Sequence, residues 1–250
     1  MNTLAYAALK ERAKDIAGRL GPPSFYRRHK KAVERSLRSF SESTVLRQCR
    51  SYLDESQMHP AHGIDHGERV AIEAGAILLT ERASLDVCAA ETEDLMLCAQ
   101  IAGLLHDIKR NESDHTTKGS AEAERILEDF AIKESHKRYI TAAIRNHEAF
   151  KEILSSENEE AKLISDCLYD ADKFRWGPDN FTITLWLIVE ASETPIEVLY
   201  RDFLVKMAGV GRIKETFRTD TGKECGPEFI DLGVEIGKEI YREMANMLGY

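Results

Sequence analysis

Residues 95–110, LMLCAQIAGLLHDIKR, set an almost wholly apolar helical stretch directly before an adjacent imidazole and carboxylate, His106 and Asp107. Leu97, Cys98, Ile101, Ala102, Leu104 and Leu105 leave little polar face, which predicts a central, buried helix. Glu93 and Asp94 at its start and Lys109 and Arg110 at its end follow the charge order that the helix dipole favours. An imidazole and a carboxylate are costly to bury unpaired, and one shared cation compensates both. A solvated helix end is the plainer alternative for the dipeptide taken alone.

The rest of the chain reads as helix after helix, an all-α fold of about ten helices with no convincing sheet. Residues 3–20 form a first helix, with Leu4, Ala8 and Ile16 apolar among charges, and Pro22 and Pro23 stop it. It is expected to pack as an appendage. A long charged helix should run from residue 25 or 30 to about 57, with Val33, Leu37, Phe40, Val45, Leu46 and Leu53 toward the core. A break at residues 59–64 leads into a helix over 65–81, on which His66, Val70, Ala74 and Ile77 share a face. Polar connections at 84–92 and 111–116 flank the central helix, and His115 sits in the second. Helices over 117–130, 135–150 and 161–174 follow. On the second, His147 continues the stripe of Ile140, Ala143 and Ile144; on the third, Asp172 lies one turn beyond Leu168. FTITLWLIVE at 181–190 is rich in strand-favouring residues but is read as helix. Helical patterns over 194–219 and 227–247 close the chain, separated by a turn at 221–227. The organisation expected is one compact unit: an N-terminal extension (1–58), a core (59–180) and C-terminal helices packed on it (181–250).

A net charge of -9 over 250 residues argues against extended nucleic-acid binding. The charge is uneven, since residues 1–50 hold twelve Lys/Arg and only four Asp/Glu, and the run Arg27 to Lys31 reads as a solvated basic face. Five scattered cysteines without a CxxC spacing read as reduced thiols of a cytoplasmic protein. No apolar run is long enough for a membrane span.

Four separate apolar helical faces thus each deliver one or two of His66, His106, Asp107, His147 and Asp172, and a loop adds His115. One histidine on an apolar face is usually a satisfied core residue. Several arising independently, with two aspartates, are better explained by a shared cation. Imidazole and carboxylate donors without thiolate suit manganese, iron, cobalt, nickel or magnesium.

His66 in HGIDHGERV, His106-Asp107 in LLHDIKR and Asp172 in YDADKF resemble the ordered H…HD…D motif of the HD-domain superfamily of metal-dependent phosphohydrolases, over residues 63–175. The resemblance implies a helical bundle with divalent metal between helices, held by His66, His106, Asp107 and Asp172. His115, in HTTKGS, and His147, in NHE, are similar to two histidines that hold a second metal in binuclear members, with Asp107 bridging. His62 falls where some members place an extra Glu ligand, and here it is a ligand or an outer neighbour. His29, His59 and His136 read as surface residues.

The activity so implied is hydrolysis of a phosphate ester or anhydride, with a nucleotide as the leading substrate and His106 and Asp107 as the catalytic pair. Arg69, Lys109, Arg110, Lys118, Lys173 and Arg175 are the cations available to substrate phosphate. Two other readings of the same donors stand beside it: a di-iron oxygenase of HD type, and a non-catalytic nucleotide-binding module. The residues after His147 lack the GYP element of cyclic-di-GMP phosphodiesterases, and those after Asp107 lack the Glu-Asp pair of alarmone hydrolases.

Overall fold

A computed structural model describes residues 2–83 and 88–250. These residues form twelve α-helices and no strand. The helices are α1 (Asn2–Leu20), α2 (Phe25–Arg28), α3 (Lys30–Glu42), α4 (Thr44–Arg50), α5 (Ile64–Arg82), α6 (Ala89–Leu105), α7 (His115–Leu127), α8 (Glu134–Arg145), α9 (Glu159–Phe174), α10 (Leu185–Ala191), α11 (Ile196–Arg212) and α12 (Asp220–Leu248). The predicted all-α class is therefore observed.

The centre is the pair α5 and α6, whose contact is the most extensive in the molecule, with α8 and α9 closing a four-helix core around them. α6 is the apolar helix expected from the sequence: Leu95, Ile101, Leu104 and Leu105 are fully or almost fully buried. It begins at Ala89, so residues 89–92 of the expected connection are helical, while 84–87 lie outside the described residues. Lys109 and Arg110 fall past its end rather than in its last turn.

Two glycines set how closely α5 and α6 cross. A Cβ on Gly103 would sit 2.6 Å from the Ala71 backbone, and one on Gly67 would sit 3.0 Å from the Leu104 carbonyl oxygen. Only a hydrogen fits at Gly103, so the first turns of α5 are held against the last turn of α6.

Several expected boundaries move, each for a local reason. The long helix expected over 25–57 is broken into α2, α3 and α4. His29 leaves helical geometry at φ -109° and ψ 26°, and the extended Ser43 caps α4 by accepting the Leu46 N–H at 3.2 Å. Leu37, expected inward, is 47% exposed on α3. On α1, Leu4 and Ala8 point outward while Tyr6, Leu9, Ala13 and Ile16 are buried, and the helix packs along α12. It is part of the core rather than an appendage. α12 starts at Asp220, so the expected turn at 221–227 is helical and Pro227 lies inside. What starts it early is Thr219, whose Oγ1 accepts the Gly222 N–H at 2.8 Å while its own N–H and O–H donate to the buried Asp170. That partner is 49 residues away in sequence, beyond any local signal.

FTITLWLIVE is helical, as a π-helical turn, Asn180–Thr184, running into α10. Its aromatic content serves burial: Trp186 is fully buried and donates its indole N–H to the Phe181 carbonyl at 2.7 Å. His136, expected at the surface, is buried on α8 beside Tyr139. One apolar cluster runs from Tyr6 to Met244 across all three segments of the chain.

Gly103→Val should cost about 1–3 kcal/mol or more, because its side chain meets backbone that cannot yield. Gly209→Ala, in a helix with open space around the added Cβ, should instead add about 0.5–1 kcal/mol. Urea unfolding followed by circular dichroism separates the two; equal effects would mean that the α5–α6 approach is not what Gly103 provides.

Candidate metal centre

The α5–α6 crossing brings the first candidate donors together. His66 lies in the first turn of α5 and His106 just past α6, and their Nε2 atoms are 3.3 Å apart. Each ring has a reason to face inward. The Nδ1 of His106 is 2.7 Å from the Gly103 carbonyl, and the Nδ1 of His147 is 2.7 Å from the Ile144 carbonyl. A carbonyl only accepts, so both Nδ1 atoms carry a proton and each Nε2 is the atom turned to the other donors, presenting a lone pair whenever the ring is neutral. His147 was expected on the face of α8. It lies two residues beyond that helix, aimed by this single hydrogen bond.

Asp107 is the meeting point. Its Oδ2 faces His62 Nδ1 at 2.7 Å, His106 Nε2 at 3.3 Å and His66 Nε2 at 3.9 Å. Its Oδ1 faces His147 Nε2 at 3.3 Å and His115 Nε2 at 3.8 Å. Asp172 completes the group with Oδ1 at 3.3 Å from His66 and 3.6 Å from His106. Its other oxygen accepts from the Lys173 ammonium at 2.5 Å, and the same ammonium donates to the His147 carbonyl at 3.0 Å. Lys173 therefore turns one carboxylate oxygen of Asp172 toward the imidazoles and ties α9 to the segment after α8.

Burial is deep, with His106 1% and His147 2% exposed. Burial alone would raise the carboxyl of Asp107, yet His106, His147 and His62 hold it well below the ordinary carboxylate range; Lys173 and the same His106 do so for Asp172. Burial likewise works against a charge on His106, but the two carboxylates outweigh it and push the imidazole up to about 10. Burial pushes His66 down to about 4, and burial with the neighbouring Arg110 guanidinium does the same to His115.

Such a site asks for positive charge. Asp107 Oδ1, His147 Nε2 and His62 Nδ1 are buried without an aligned hydrogen bond, the last although it lies only 2.7 Å from a carboxylate oxygen. Donors that close and yet misaligned point at a common third atom. Three overlapping triads have donor atoms within 4.8 Å of one another: His62, His66 and Asp107; His66, His106 and Asp172; and His106, Asp107 and His147. These residues can hold a metal ion. His115 stands at the edge, in the first turn of α7 rather than in a loop, with its Nε2 accepting from Arg110 at 2.7 Å. A fourth group, His29, Glu224 and Cys225, lies outside the cleft and has the Arg28 guanidinium against both Glu224 and the Cys225 sulfur, which disfavours a cation.

The donors floor a cleft of about 540 Å³. Of the expected phosphate-binding cations, Arg110, Lys173 and Arg175 line it. Arg69 is exposed beside a neighbouring cavity and paired with Asp179 at 3.0 Å, while Lys109 and Lys118 both pair with Glu112 at 3.6 and 3.0 Å, away from the cleft. Arg175 is already engaged: it donates to Glu73 and Asp179 at 2.5 Å and to the Tyr26 hydroxyl at 2.9 Å, and Tyr26 donates to Glu73 in turn. Burial opposes its charge, but Glu73, Tyr26 and Asp179 outweigh that and keep the guanidinium protonated. Sequence reading left His62 undecided, and the structure sets it against Asp107. No stripe or motif in the sequence points to Phe150, Trp176, Asn180, Thr184 and Ile188, which also line the cleft.

The Glu73–Arg175 pair ties α2, α5 and the end of α9 behind the cleft. Glu73→Ala leaves a buried guanidinium short of one carboxylate and should cost about 3 kcal/mol, whereas Glu73→Leu with Arg175→Met should cost less than that single change. Urea unfolding of the double-mutant cycle checks this; additive losses would show that the pair is not coupled.

Comparisons with protein-family models, with curated proteins and with solved structures give no match for the chain.

Proposed function

We propose that the chain is a metal-dependent phosphohydrolase that cleaves a phosphate ester or anhydride of a small molecule, a nucleotide in the first instance. The observation that carries this reading is Asp107: a buried carboxylate whose two oxygens face two different sets of imidazoles at the floor of an open cleft. A bridging carboxylate between two cations requires that division. The ordered His66, His106-Asp107, Asp172 motif, with its resemblance to HD-domain phosphohydrolases, supplies the reaction class.

In this reading His66, His106, Asp107 and Asp172 hold one divalent ion, and Asp107, His147 and His115 a second, drawn from manganese, iron, cobalt, nickel or magnesium. Bound there, such ions lower the pKa of water and neutralise charge on the phosphoryl oxygens. Asp107, with one oxygen directed to each set of imidazoles, would contribute to holding both ions and would orient the attacking water or accept its proton. His106 is held by Gly103, so its Nε2 would need no reorientation toward an ion, which would take the place of the proton that the two carboxylates favour there. Arg110 donates to His115 Nε2 at 2.7 Å and lies 3.7 Å from Asp107 Oδ1, so an ion held by those two residues would displace its guanidinium, which lines the cleft and would then be available to a phosphoryl oxygen. Lys173 acts through Asp172 and His147, as a positioning residue.

Elemental analysis after manganese or iron loading and desalting should find about two ions per chain, with one lost in His115→Ala or His147→Ala. His106→Ala and Asp107→Ala should each lower metal-dependent hydrolysis of nucleoside phosphates by roughly a hundredfold or more while circular dichroism stays helical. Unchanged turnover in both variants rules the reading out. Oxygen consumption by an iron-loaded sample, without phosphate release, would move the assignment to an oxygenase.

A further inference from the structure

The cleft has two characters. Its floor is charged, and another stretch of its wall carries aromatic and apolar groups outside the donor set: Phe150 and Ile188 are exposed, and Trp176 packs only in part against the core. Phe150, three residues past His147, is 57% exposed and holds a left-handed backbone at φ 62°. A bulky residue in that region is strained, and strain of this kind persists where surrounding structure imposes it. The Arg212 guanidinium lies 4.8 Å from the Phe150 ring centroid, so α11 helps to fix the ring at the mouth of the cleft. Trp176, only partly buried, lines the same cleft from the segment after α9. Beside it, Asn180 and Thr184 bring a carboxamide and a hydroxyl from the two ends of the π-helical turn. A π turn carries extra backbone bulge, and such turns concentrate at functional sites.

These groups share one complement. An exposed phenyl ring and a partly buried indole lining one cleft suit a flat ring, and a carboxamide with both donor and acceptor capacity suits a ring whose edge carries heteroatoms. A phosphoryl group on the donor cluster would leave the remainder of its molecule beside this wall. We propose that Phe150 and Trp176 form a stacking site for the heteroaromatic base of a nucleotide, with Asn180 and Thr184 on the polar edge of the ring. The assignment deepens the phosphohydrolase reading, on which it rests only for where the phosphate lies.

The test compares the four nucleoside 5′-monophosphates with ribose 5-phosphate, which carries the same sugar and phosphate without a base. With manganese-loaded protein, rapid mixing reads quenching of tryptophan fluorescence before turnover; ribose 5-phosphate is read by competition, and steady-state kinetics follow. At least one monophosphate should bind roughly tenfold or more tightly than ribose 5-phosphate. Phe150→Leu, at an exposed position that leaves the core intact, should erase most of that advantage by raising KM with little change in kcat, and leave ribose 5-phosphate unaffected. Asn180→Ala should alter the ranking among the four bases. Equal binding of ribose 5-phosphate and the monophosphates, equal weakening of both by Phe150→Leu, or no monophosphate binding at millimolar concentration overturns the proposal. Base-dependent binding without hydrolysis of any of these compounds would keep the stacking site and remove the hydrolase. Equally efficient hydrolysis of ribose 5-phosphate would do the reverse.

Discussion

Placing two carboxylates and a set of imidazoles at the buried end of an apolar helix pair is the condition around which the other elements are arranged. Asp107 and Asp172 can stay ionised at 4–5% exposure only because positive or polarisable groups surround them. The fold answers with short, directed contacts rather than with solvent. Carbonyl groups of Gly103 and Ile144 fix two imidazoles, and one ammonium, Lys173, serves both Asp172 and the His147 segment. Each contact requires the helices to meet within a few tenths of an ångström, which is why Gly103 tolerates no Cβ against Ala71.

That precision depends on supports some distance from the donors. Glu73 and Arg175 are both almost fully buried, and with Tyr26 they link the start of the chain to the end of α9. Phe174, the neighbour of Arg175, stacks on Phe229 of α12 with ring centroids 4.0 Å apart. The N-terminal and C-terminal helices thus reach the same short segment that carries Asp172, Lys173 and Trp176. They set the back wall of the site as well as adding to the core.

What the sequence discloses here is whatever repeats at helical spacing. The all-α class, the buried central helix and the convergence of His66, His106, Asp107, His147 and Asp172 all follow from apolar stripes and the polar residues that interrupt them. Boundaries differ where a single side chain ends or begins a helix: Ser43, which splits the long N-terminal helix, acts locally, whereas Thr219 starts α12 through Asp170 across the fold. His136 was misplaced because a lone imidazole between charged neighbours gives no sign that its ring will meet Tyr139. Nearness in sequence to the candidate donors is a poor guide to which cations lie near them in space. Lys109 and Lys118 turn toward Glu112, and Arg175 turns toward Glu73.

The charged floor of the cleft is legible in the sequence where the aromatic part of the same lining is not. Candidate donors are legible because a buried polar residue is anomalous in an apolar stripe, whereas Phe150, Trp176 and Ile188 look like ordinary core residues until the fold leaves them at the cleft. The backbone adds a mark: Phe150 is held at φ of 62° although its ring is exposed, and the π-helical turn Asn180–Thr184 brings Asn180 and Thr184 to the cleft while Phe181 and Thr182 are buried. Local strain beside a charged floor is therefore the more informative signal for what the cleft accepts, as buried charge is for what it can hold.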